Sequence, residues 1–207
     1  MNFLGHTAVA LDLGHRDAEF VLGAVLPDLA SMAGVRVQRT DLARAVGDGV
    51  ACHLRADAAF HAHAEFRAGS SALRHALMER GLGSGPARAV GHAGWELLLD
   101  GTLVGSAVEA AFRAAVAGRA ATAAAVDDTA RWTTFVDRMS GAGRLAYDDP
   151  AWVAERLHTM LERRPRLALA RPQVGLVAEV LAAGQADVVA ASAAVLRDTA
   201  QASRDPG

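Results

Sequence analysis

Two polar stripes on otherwise apolar helices constrain this chain more than any other feature. The stretch from Gly49 to Phe66 carries no helix breaker, and its alanines and leucine favour a helix. Residues four apart lie one above the other on a helix, so His53, Asp57 and His61 form a polar stripe two turns long. The pattern recurs at His92, Glu96 and Asp100. Imidazole and carboxylate together suit Zn, Mn, Fe or Ni. Asp57, Glu96 and Asp100 sit among Ala, Leu and Trp, where a carboxylate is costly to bury without a partner. Two helices facing each other across a metal meet both demands. The plainer reading is a pair of solvated faces, or a buried histidine–carboxylate network without an ion.

Around the stripes the chain reads as all-α. No stretch shows sustained strand-type alternation, and β-branched and aromatic residues are few. The expectation is one domain, 1–203, of about seven to nine helices, with a frayed tail at 204–207. A first helix holds His6, and a second runs from Glu19 to Met32, where Pro27 can kink or end it. Thr40 is placed to cap a long helix from Asp41, and the chain bends between Glu65 and Gly69. Further helices are expected from Ser70 or Ser71 to Arg80, Ala87 to Leu103, Val108 to Ala117, and Ala120 to Met139. Asp148-Asp149-Pro150 starts another, and Gln173 to Ala202 forms the last, with a break near Gly184.

Composition narrows the chemistry. A chain of 207 residues, 52% hydrophobic and 21% charged, can bury a sizeable core. The formal charge of −2 leaves no electrostatic footprint for nucleic acid. All 21 basic residues are arginine, which excludes lysine Schiff-base and lysine general-base chemistry and favours bidentate capture of phosphate or carboxylate. The single Cys52 excludes internal disulfides and thiolate-rich zinc sites, and fits a reducing cytoplasm. No membrane span is expected: the apolar run from Phe20 to Leu29 is short and interrupted by Pro27 and Asp28. The N-terminus lacks a signal peptide's charged region, so the expected location is cytoplasmic.

His6 and Asp28 lie in the most apolar parts of the N-terminal region, which makes them ligand candidates beside the stripes. His63 falls about 200° off the stripe while the helix continues, and faces the site only where the helix has ended. His15, His75 and His158 read as ordinary core or surface histidines.

The start Met1-Asn2-Phe3-Leu4-Gly5-His6 resembles the Met-Asn-Phe-Leu-Ala-His of the acyl-carrier-protein phosphodiesterases, metal-dependent members of the wider HD-domain hydrolase group. Their Gly-x-x-x-x-Asp is similar to Gly23 to Asp28. Their Gly-x-x-x-His-Arg-x-x-Asp-x-x-Thr-Asp-x-His-Pro-x-Phe is similar to Gly49 to Phe66, with His53, Asp57, His63 and Phe66 on its His, Asp, His and Phe. The run Arg163-Arg164-Pro165-Arg166-Leu167 looks like an arginine-rich run of some members. The likeness covers roughly 1–170 and weakens after Asp100. The chain departs from the pattern where the family has Thr-Asp and this chain has Phe60-His61. It departs again where the family has Asp-x-x-x-Asp-His and this chain has His92, Glu96 and Leu97. That richer imidazole content shifts the expected metal from Mn²⁺ or Mg²⁺ towards Zn²⁺ or Fe. A weaker likeness, in Leu22-Gly23 and Pro27-Asp28, is to zinc-dependent phospholipase C-like proteins.

The resemblance implies a phosphodiester hydrolase holding one or two metal ions through His6, Asp28, His53, Asp57, His92 and Glu96, with His61 and Asp100 as further ligand candidates. Asp57 would ligate the metal or orient a water, and His61 or His63 would protonate the leaving group. The implied substrate is a phosphate ester, including holo acyl carrier protein, with Arg36, Arg39, Arg44, Arg163, Arg164 and Arg166 available to meet its acidic surface. Two other functions remain open: an HD-like iron-dependent oxygenase or lyase acting on a small metabolite, and a non-catalytic protein with a relic site. The last would suit a homodimer through the alanine-rich C-terminal helices.

Overall fold

Short polar side chains start four of the helices. In the computed structural model, which describes residues 1–118, 120–141 and 143–204, Asp17 accepts the Glu19 N–H at 3.2 Å and so starts α2 (Ala18–Ala33). Ser106 accepts the Val108 N–H at the head of α6 (Ala107–Ala117). Asp149 accepts the Ala151 N–H ahead of α9 (Pro150–Leu161), the start expected from Asp149-Pro150. The others are α1 (Phe3–Asp12), α3 (Arg44–Ala62), α4 (Ala64–Glu79), α5 (Ser84–Gly101), the single turn α7 (Ala120–Ala123), α8 (Thr129–Ser140) and α10 (Val174–Ala202). Among the described residues 75% are helical and there is no strand. The all-α expectation therefore holds. One isolated antiparallel bridge joins Val37 and Val126.

Several boundaries differ from the sequence expectation, each for a local reason. Gln38 donates its N–H to the Ala125 carbonyl at 2.7 Å, which holds the chain extended there. Thr40 therefore lies in a 3₁₀ turn, Arg39–Asp41, and α3 begins only at Arg44. The bend placed between Glu65 and Gly69 occurs instead at His63, whose Nδ1 accepts the Glu65 N–H and caps α4. α2 matches the expected Glu19–Met32 to within one residue at each end, running through Pro27 and ending at Gly34, which adopts φ +70° as a left-handed cap. The helix expected from Ala120 to Met139 is broken, because Asp128 leaves helical geometry to accept the Arg131 N–H. No break occurs at Gly184. Residues 205–207 of the expected tail lie outside the described residues.

The chain divides into two compact units, 1–59 with 105–145 and 196–207, and 60–104 with 146–195. In the first, α1 packs on α2 and α6, and Phe3 stacks on Phe112 at 5.5 Å. Leu4, Leu22, Leu26, Leu29, Val46 and Trp132 fill its core. The backbones of α2 and α3 touch: a Cβ on Gly49 would fall 2.8 Å from the Gly23 Cα, and one on Gly23 would fall 2.9 Å from the Val46 carbonyl carbon. Only residues without a Cβ permit that approach, and it sets α2 beside the stripe of α3.

In the second unit, α4 and α5 form a long antiparallel pair, with α9 against α5. Leu77, Val90, Trp95, Leu98, Leu157 and Leu181 are its buried centre. α10 contributes Leu181 to that centre, and its Glu179 pairs with Arg80. By length and composition alone, the helical stretch from Arg171 to Ala202, which takes in α10, could cross a membrane, with mean hydropathy 1.6 over its apolar window and 28% of that window buried.

Glu109 on α6 gives one test of the first unit. Its carboxylate accepts the Gly105 N–H and the Arg113 guanidinium, each at 2.8 Å. The Gly105 bond pulls its pKa below the ordinary 4.5, outweighing burial, which acts upward, and Arg113 adds to the depression. A depressed carboxyl stabilises the fold above its unfolded value, and that contribution is lost as pH falls through the folded one. Glu109→Gln keeps the acceptor but removes the charge. It is expected to lower stability by about 1 kcal/mol at neutral pH, with the gap closing below pH 4.5. Urea unfolding at about pH 7 and about pH 3 measures this; an equal gap at both would refute it.

Candidate metal centres

In the first unit, α1, α2 and α3 each present part of one cluster. The His53 Nδ1 lies 2.9 Å from the Ala24 carbonyl oxygen. A carbonyl only accepts, so Nδ1 carries the proton and Nε2 keeps its lone pair facing the cluster. Burial lowers the His53 pKa, and the Ala24 bond, which acts the other way, does not cancel it. The ring is therefore neutral, the state in which imidazole binds metal. His6, 1% exposed, stacks on His53 with centroids 3.9 Å apart.

Asp28 turns one oxygen to each histidine, Oδ2 to His6 Nε2 at 3.7 Å and Oδ1 to His53 Nε2 at 4.0 Å. Asp57 Oδ1 lies 3.8 Å from His6 Nε2 and 3.3 Å from the Met1 ammonium. The histidine–carboxylate separations exceed hydrogen-bond length. They lie between the separations of adjacent and opposite ligands around one six-coordinate ion, about 3 Å and about 4 Å for bonds near 2.1 Å. Ligand atoms of His6, Asp28 and His53 all lie within 4.8 Å of one another. The residues present fit a divalent metal.

The second unit holds another group, His61, His92 and Glu96, whose ligand atoms again lie within 4.8 Å of one another. His61 Nε2 and His92 Nε2 each lie 3.2 Å from the same oxygen, Glu96 Oε1. The two rings stack at 5.0 Å, and Phe66 stands edge-on to both, at 5.3 and 5.1 Å. Burial acts to raise the Glu96 pKa, but its hydrogen bonds with His61 and His92 outweigh that and hold it well below its ordinary value.

The expected six ligands thus divide, with His6, Asp28 and His53 grouped in one unit and His92 and Glu96 grouped with His61 in the other. Asp57 adjoins the first group. Asp100 is fully buried on α5 and belongs to neither group. His63 serves as the α4 cap, and Cys52 is buried on α3. Arg36 is bound to Asp127 through its side chain and its backbone N–H, and Arg44 faces Asp48 at 3.8 Å. The side chain of Arg39 lies outside the described residues. The sequence reading missed the Ala24 carbonyl that fixes the His53 tautomer. No side-chain signal marks such a partner.

No protein-family model, curated protein or solved structure matches the chain. Fold and sites together define a class: an all-α protein carrying two histidine–carboxylate clusters.

Proposed function

We propose that the protein is a metal-dependent phosphoric-ester hydrolase whose centre is the His6–Asp28–His53 cluster with Asp57 beside it. The carrying observation is the tautomer of His53, fixed by Ala24, which turns a neutral Nε2 towards Asp28 while His6 faces both carboxylates. A bound divalent ion supplies Lewis acidity, polarising the phosphoryl oxygen and lowering the pKa of a bound water. The chain does the rest. His6, Asp28 and His53 hold the ion, and the Ala24 bond keeps the His53 ring from turning. Asp57, 37% exposed, is the member nearest solvent and orients the attacking water.

The resemblance of the N-terminal motifs to acyl-carrier-protein phosphodiesterases supplies the substrate class, a phosphodiester such as the phosphopantetheine link of a holo carrier protein. Protein stripped with chelator should be inactive on bis-p-nitrophenyl phosphate and regain turnover with Mn²⁺, Zn²⁺ or Fe²⁺. Mass measurement on holo carrier protein should then show loss of phosphopantetheine, slower at high salt if arginines steer the acidic partner. Intact holo protein with cleaved small diesters would keep the chemistry and remove the carrier substrate. Absence of turnover with every metal would refute the hydrolase reading.

A further inference from the structure

We propose that His61, His92 and Glu96 form a second transition-metal site, of the zinc class, in the 60–104 and 146–195 unit. The proposal rests on geometry that the hydrolase centre does not use. Zinc binds imidazole nitrogen and carboxylate oxygen at about 2.0–2.2 Å, so tetrahedral ligands stand about 3.3–3.4 Å apart. His61 Nε2 and His92 Nε2 are each 3.2 Å from Glu96 Oε1. The stacked rings bring both nitrogens to that one oxygen from neighbouring helices, His61 from the last turn of α3 and His92 from α5. Two imidazoles and one carboxylate form a three-ligand set that leaves coordination positions for water or an oxygen-donor ligand.

The surroundings suit such a site. Phe60 and Phe66 stand edge-on to His61, and Trp95 packs on both phenylalanines at 5.8 and 5.4 Å. This aromatic wall excludes water from one side and strengthens the electrostatics of the ligand set. The opposite side is open, with the His92 side chain 47% and the His61 side chain 35% exposed, while that of Glu96 is 15% exposed. An ion entering there would pin the end of α3 to α5, at the junction where His63 turns the chain into α4.

The test uses Co(II) as probe on the chelator-stripped full chain, with stoichiometry by calorimetry and coordination by visible absorption. Wild type is expected to take up two equivalents. Glu96→Gln, which preserves shape, should lose one of them or weaken it by about 100-fold, and His53→Ala should lose the other. Half-exposed His92→Ala serves as the second variant, because its removal leaves the aromatic wall in place. One equivalent lost with Glu96→Gln but kept in His53→Ala would support this site and remove the hydrolase centre. One equivalent lost with His53→Ala but kept in Glu96→Gln and His92→Ala would overturn this site and leave the hydrolase centre standing. Wild-type uptake unchanged by all three variants, or no uptake, would overturn it as well.

Discussion

His53→Ala is expected to lower metal-dependent phosphodiester hydrolysis by about 10³-fold or more, equivalent to about 4 kcal/mol of transition-state stabilisation. The substitution removes the Nε2 that faces Asp28 and the Nδ1 that is bound to the Ala24 carbonyl. It also leaves His6 without the ring it stacks on at 3.9 Å. Because His53 is 95% buried, part of the loss could come from packing. Thermal melting separates the two causes. A ligand role predicts that added metal stabilises wild type more than the variant, even where their metal-free melting temperatures agree. The measurement is turnover of bis-p-nitrophenyl phosphate across a metal titration. A variant that keeps more than a tenth of wild-type turnover at saturating metal would remove His53 from the centre.

His53 was legible in the sequence because its signal is local. An i, i+4 spacing of imidazole and carboxylate reports a shared helix face wherever the helix lies in the fold. The same logic placed His92 and Glu96 together, and they do meet at 3.2 Å. It failed to show how the ligands would be shared out. Four residues turn an α-helix by about 400°, so a stripe drifts by about 40° per step, and His61 is turned about 80° from His53. A stripe that looks continuous on paper can therefore serve different neighbours at its two ends. Which neighbours these are depends on tertiary packing, and the sequence pattern carries no trace of that.

Helix starts were legible at Asp149, where a short acid precedes proline, but not at Asp128, which caps α8 inside an alanine-rich run, nor where the cap is unusual. His63 ends α3 and starts α4 with an imidazole nitrogen as acceptor, a residue with no strong capping preference. Pro27 shows the converse, because the helix expected across it from Glu19 to Met32 does form. It removes the donor that would reach the Gly23 carbonyl, yet α2 continues because Leu22, Leu26, Leu29 and Ala30 are buried on both sides of it. Packing outweighs a single lost hydrogen bond, which is worth about 1 kcal/mol net.

The contact that brings Asp28 to His53 is a backbone one, and Gly49→Val is expected to break it. A Cβ at Gly49 would lie 2.8 Å from both the Ala24 nitrogen and the Gly23 Cα, and closer still to the Phe20 carbonyl oxygen. Those are backbone atoms of α2, so no side chain can swing aside, and the two helices must separate. Overpacking of this kind costs about 3 kcal/mol or more, which at this chain length lowers the melting temperature by about 10 °C. Gly47, two positions earlier on the same helix, meets nothing within 4 Å of its added Cβ. Gly47→Ala should therefore stabilise slightly, by about 0.5–1 kcal/mol, since alanine is the better helix former. The pair separates a specific close approach from a general intolerance of α3 to substitution. It also couples packing to chemistry, because separating α2 from α3 draws the Ala24 carbonyl away from His53 and frees the ring to turn. Gly49→Val should thus lose metal binding at the His6–Asp28–His53 cluster at temperatures where far-ultraviolet circular dichroism still reports folded helices. If it melts with wild type and binds metal as wild type does, the helix contact does not position the site.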